Sequence, residues 1–182
     1  MQTFHIHTVS SAPEQSKPAL QKLHAAFGMI PNIAGAMATS PVLINSLVGL
    51  FEIVHRGSFA EAQIQIILLT NAVTNECSWA VAFHTALALK EGLDQIDVDA
   101  IRSGRTPKDP QHAALSSLAR ALIEKRGHLN SVDIDKFIDA GFEKDLLLEV
   151  ITIIAASTIT NYTGSVTKPP VEAPFQAYTW DK

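Results

Sequence analysis

Cys77, Ala80 and His84 stand at i, i+3 and i+7 within ECSWAVAFHTALALKEG, residues 76–92. On a helix that spacing puts all three on one face. Asn75 is a good N-cap residue type, which predicts Glu76, Cys77 and Ser78 in the first turn. A thiol there sits in the positive end of the helix field, which favours thiolate, the nucleophilic form. His84 lies two turns on, roughly 10 Å along the axis. It is too far to touch Cys77 directly, but a substrate or water fits between them. Imidazole supplies acid or base chemistry near neutral pH. Upstream, Glu61 and Gln65 are one turn apart on the preceding apolar helix, so both carbonyl-bearing side chains lie on one side. Gln65 cannot relay a proton, because an amide does not titrate. Glu61 can substitute from one turn earlier, or serve only as a first-turn acid at the helix start.

The stretch 61–92 resembles the core motif of the alkylhydroperoxidase D / carboxymuconolactone decarboxylase family. Its peroxidase branch carries a glutamate, a Cys-x-x-Cys pair and a histidine. On this chain those positions are Gln65, Cys77, Ala80 and His84. The second cysteine, the one that attacks peroxide in that branch, is Ala80 here. The decarboxylase branch lacks the pair and keeps a histidine followed by small residues and a glycine; His84 to Gly92 suits either branch. The resemblance implies an all-α, single-domain helical bundle that forms a homo-oligomer, needs no cofactor and acts on a small molecule.

Three activities follow. The first is an alkylhydroperoxidase-like, peroxiredoxin-type antioxidant enzyme with a degenerate site of Cys77, Ala80, His84 and Gln65, resolved by an external thiol or another chain. The second is a lyase or decarboxylase using His84 as acid or base on a small carboxylated compound. The third is a non-catalytic member whose cavity binds a small apolar ligand.

The elements that must position these groups are read from caps and breakers. Residues 1–17 form an irregular N-terminal arm, 18–163 the helical core and 164–182 a Pro and aromatic tail. Pro18 opens a helix to about Phe27. Pro31 opens a short one over 33–38, and Ser40-Pro41 opens one through Val54. Ser58 with Glu61 has capping-box spacing and predicts a helix to about Thr74. Gly92 closes the His84 helix. Asp94 caps a helix to Arg102, residues 111–126 form an amphipathic helix, and 131–141 a short one. The last helix, from Lys144 to about Tyr162, is apolar nearly all round, which suits a core or a subunit contact. Asn161 and Tyr162 on it could reach the cavity. Ile67 to Asn75 echoes Ile153 to Asn161, consistent with a duplicated helix pair. Trp79 reads as pocket wall or core.

Composition sets the class. With 182 residues, 47% hydrophobic and 18% charged, the chain can bury one sizeable core and still leave apolar surface for self-association. A net charge of -4 without a basic block argues against nucleic acid. One cysteine excludes an internal disulfide and suits a reducing, cytoplasmic setting. His5-x-His7 has no third ligand nearby, so no metal is expected. The runs 64–73 and 146–159 look too short and too interrupted to span a bilayer, so no membrane association is expected.

Overall fold

In the computed structural model, which describes residues 4–181, every regular element is helical. The first three residues of the expected arm and Lys182 of the expected tail lie outside that range. The order is α1 (Lys17–Phe27), α2 (Asn32–Met37), α3 (Pro41–Val54), α4 (Glu61–Thr74), α5 (Ser78–Lys90), α6 (Gln95–Arg102), α7 (Pro110–Glu124), α8 (Ser131–Asp139) and α9 (Lys144–Thr167). Short 3-10 segments precede α1 and form residues Ala173–Tyr178. The all-α bundle read from the sequence is therefore what the chain adopts.

The core is built around α4. Residues Ile64 to Ala72 are buried without interruption, and the helix packs against α5, α6, α7 and α9. A helix apolar all round can only sit inside, because burying its side chains is worth about 1.5–3 kcal/mol each. The polar groups it carries inward are satisfied. Thr70 Oγ1 donates to Ser116 Oγ at 2.9 Å, and Asn71 Nδ2 donates to the carbonyl of Ile154 at 3.0 Å.

Helix starts follow the sequence closely where a capping side chain is present. Ser40 accepts from Leu43 N, Asp94 from Ile96 N, and Asp109 from Gln111 N and His112 N. The α4 start differs. Ser58 does not cap; Ala60 is the N-cap, and Gln63 Oε1 accepts from Ala60 N. Ser58 N is taken instead by Glu149 of α9 at 2.6 Å, a contact that local sequence cannot foresee.

Helix α9 is longer than expected, running to Thr167, and by length and composition it is apolar enough to cross a membrane. The helix thus extends beyond the apolar run 146–159 read from the sequence, and a core helix passes the same test of length and composition. Its buried face packs on α2, α3, α4 and α5. Its direction is fixed by two contacts: Glu149 meets the start of α4, and Ile154 meets Asn71 near the end of α4. So α9 runs along α4 and against α5.

Where α9 passes the start of α5 the approach is close. A Cβ on Gly164 would stand 2.6 Å from Cys77 Sγ and 3.2 Å from Ile33 Cδ1. Gly164→Ala is expected to destabilise the fold by about 1–3 kcal/mol through overpacking. Urea denaturation checks it, and adding Cys77→Ala should restore most of the loss. An undiminished loss in the double variant would show that the sulfur is not what the methyl meets.

Candidate functional site

The α4–α5 turn is tighter than the sequence suggested. Asn75 is not the N-cap of α5 but the C-cap of α4. Glu76 follows with φ of 55°, left-handed. Glu76 N donates to Val73 O at 3.1 Å and Cys77 N to Ala72 O at 3.0 Å. This pair of bonds is a Schellman motif, and it usually uses glycine at the left-handed position. Cys77 thus serves twice, closing α4 with its amide and standing as the N-cap residue of α5, where its carbonyl accepts from Val81 N. It stands just before the first turn, not in it.

That position alters the expected electrostatics. Cys77 is 2% exposed, and burial pushes its thiol above the ordinary value. The backbone amides of Ala80 and Trp79 pull the other way, but the sulfur makes no capping hydrogen bond and burial prevails. The expectation of a favoured thiolate is corrected: desolvation outweighs the helix field.

His84 and Gln65 are brought together. Both are buried, and His84 Nδ1 lies 3.0 Å from Gln65 Oε1. An amide oxygen only accepts, so the ring proton sits on Nδ1 and Nε2 carries the lone pair. Burial, reinforced by the charge of His55, lowers the His84 pKa to about 3. Its ring is therefore neutral at physiological pH, a base rather than an acid. Glu61 does not replace Gln65 at His84. Its carboxylate accepts from His55 Nδ1 at 2.9 Å, at the surface end of the same helix face.

Cys77 lines a recess of about 390 Å³ between the start of α5, the end of α9 and the tail. Trp79, Gly164, Lys168 and Val171 share its wall. His84 is not among the lining residues, so the sulfur and the imidazole share a helix face without sharing this recess. Ala80 lies between them, fully buried. The tail forms the outer wall. Glu172 accepts from Trp79 Nε1 at 3.0 Å and from the amide of Asn32. Phe175 packs edge-on against Phe83, and Arg102 Nη1 donates to Tyr178 O at 2.9 Å. The tail thus packs on the body, and its residues Ala173–Tyr178 form a 3-10 helix that includes Pro174. Sequence reasoning missed Glu172, Gly164 and Lys168, which are remote from the motif. Tyr162 is exposed and reaches no part of the recess, whereas Asn161 is buried. Among the described residues no group of three His, Cys, Asp or Glu could hold a metal ion.

The sequence model of the carboxymuconolactone decarboxylase family matches residues 47–122, the segment that contains Gln65, Cys77, Ala80 and His84. That segment is similar to the carboxymuconolactone decarboxylase family. No curated protein matches the chain in sequence. Solved structures share the fold of this chain. A peroxidase-related protein from Ralstonia eutropha JMP134, with an alkylhydroperoxidase AhpD core, superposes with a TM-score of 0.82 at 14% identity, over 93% of this chain and 92% of that one. The debrominase Bmp8 gives 0.81 at 18% identity, over 98% and 96%. A putative antioxidant defence protein AhpD from Agrobacterium tumefaciens gives 0.62 at 18%, over 73% and 94%.

The His84 pKa makes a stability prediction. The unfolded chain takes up a proton near the ordinary histidine value of 6.5, whereas the folded chain does so only near 3. Stability from this group is complete above the unfolded value and is lost as pH falls between the two, by up to ~1.4 kcal/mol per pH unit. His84→Leu should flatten the stability-versus-pH curve over that window relative to the native chain. Parallel curves would contradict the neutral, buried imidazole.

Proposed function

We propose that this protein is a one-cysteine, thiol-dependent hydroperoxidase of the alkylhydroperoxidase D-like type. The observation that carries the reading is the placement of Cys77, the chain's single cysteine, at the mouth of α5 and in the wall of the recess. The Cys77 sulfur attacks the terminal peroxide oxygen, the O–O bond breaks, and the departing alkoxide takes the proton the thiol gave up. Sulfur is oxidised to sulfenic acid as the peroxide is reduced to alcohol and hydroxyl. An external thiol condenses with the sulfenic acid and releases water; a second reduces the mixed disulfide. With Ala80 in the place of a second cysteine, no resolving thiol exists within the protomer.

The raised thiol pKa sets the pH dependence. Peroxide consumption should climb with pH through the ordinary thiol value of 9.0 instead of levelling near neutrality. Cys77→Ser should abolish thiol-dependent consumption of an alkyl hydroperoxide. Equal rates for the two proteins would remove the peroxidase reading.

A second reading is favoured by one comparison. A cysteine-to-alanine variant of the debrominase Bmp8 in complex with 2,3,4-tribromopyrrole superposes over 98% of this chain with a TM-score of 0.78. A single buried cysteine beside an aromatic wall suits thiol-dependent reduction of a halogenated heteroaromatic as well. Bromide release from a brominated pyrrole, with no peroxide turnover, would favour it.

The proposed assembly is a homo-oligomer. Leu148, Ile151, Tyr162 and Val166 leave an exposed apolar stripe along α9, at helical spacing. Sedimentation should find a multimer that Ile151→Glu together with Val166→Glu dissociates; a native monomer would refute it.

A further inference from the structure

Two polar side chains of α9 have no role in anything described so far. Asn161 and Ser157 are fully enclosed, and among the described residues neither the amide nitrogen and oxygen nor the hydroxyl has a hydrogen-bond partner. Native interiors rarely leave such groups bare, and an unpaired buried group marks a site for a water or a ligand.

Their location is informative. Ser157, Asn161 and Gly164 are at i, i+4 and i+7, one face of α9. Gly164 meets the Cys77 sulfur. Because α9 runs against α5, Asn161 and Ser157 step back from that contact as Ala80 and His84 step forward from it. The seam between α9 and α5 thus carries Gly164 against the Cys77 sulfur, with Asn161 and Ser157 further along the same α9 face. At position 80 the side chain is only a methyl, where the peroxidase branch carries a second sulfur.

We propose that this seam binds the hydroperoxyl group of the substrate, with Asn161 and Ser157 as its hydrogen-bonding residues. A hydroperoxyl group has one donor and two acceptor oxygens. Asn161 offers both a donor and an acceptor, and Ser157 offers both on one atom. A carboxylate would leave Asn161 Oδ1 without a donor, and an apolar ligand would leave all three atoms bare. The fitting ligand is neutral and both donates and accepts. Asn161 Oδ1 accepts the peroxide O–H, and Asn161 Nδ2 and Ser157 donate to the oxygens, holding the terminal oxygen toward Cys77 Sγ. The S–O bond then forms as O–O breaks, with proton and electrons moving as given for the proposed peroxidase. The reaction rests on that reading; the binding does not.

Binding and turnover are separated by experiment. Crystals of Cys77→Ser, which cannot turn over, are soaked in hydrogen peroxide. Two linked oxygen atoms between Asn161 and Ser157 are expected. A single water that peroxide leaves unchanged, or an empty seam, would overturn the proposal. In the native background, Asn161→Leu should slow trapping of the Cys77 sulfenic acid by dimedone roughly tenfold or more, while alkylation of Cys77 by iodoacetamide stays about the same. Asn161→Asp, which keeps the shape without the donor, is expected to lose comparably and covers the case that the leucine variant fails to fold. Unchanged oxidation, or equal slowing of oxidation and alkylation, would overturn the assignment. If native Cys77 is never oxidised, the peroxidase reading fails by itself and the soak still decides whether the seam binds peroxide.

Discussion

The bond from Cys77 N to Ala72 O fixes more of this molecule than any other single contact. It closes the Schellman turn of α4, the helix at the centre of the core, and it starts α5 in the same step. Because α4 cannot shift without breaking its packing on four neighbouring helices, the start of α5 is held as firmly as the core itself. Everything along α5 inherits that placement by helical geometry. Cys77 is brought against Gly164, Trp79 against Glu172, and His84 against Gln65. The left-handed Glu76 is the local cost of the tight turn.

Burial then decides the chemistry of the two titratable groups. A helix N-terminus favours thiolate and a histidine normally titrates near neutrality, but both tendencies assume contact with water. Here the sulfur and the ring are almost fully enclosed. Burial raises the first pKa and lowers the second, so both groups are neutral near physiological pH. The partner at His84 is an amide, which offers no compensating charge. A carboxylate at position 65 would hold a protonated imidazole; Gln65 holds a neutral one. The sulfur and the imidazole are therefore both uncharged at rest, which suits a neutral substrate that carries its own reactive bond.

The outer half of the site comes from far away in the chain. Lys168, Val171 and Glu172 belong to the tail, and Gly164 to α9, yet all lie on or beside the start of α5 that carries the motif. The tail is held by side chains of the body: the Trp79 indole on Glu172, and the Arg102 guanidinium on the Tyr178 and Thr179 carbonyls. This is a wall assembled on the core, not an extension of it.

The sequence by itself determined the helices and the resemblance of one segment to a family motif. Apolar periodicity, capping residues such as Ser40, Asp94 and Asp109, and glycines at helix ends are local signals, and local physics reads them directly. It also determined that Cys77, Ala80 and His84 share a face. Only the tertiary structure decided what that face meets. Whether Asn75 starts a helix or ends one depends on how closely α4 and α5 pack. Whether Cys77 is a thiolate depends on how much water reaches it, and the neighbours that exclude water lie scores of residues away. Spacing along one helix gives direction; exposure and partners are properties of the surrounding bundle, and those set the protonation and the chemistry.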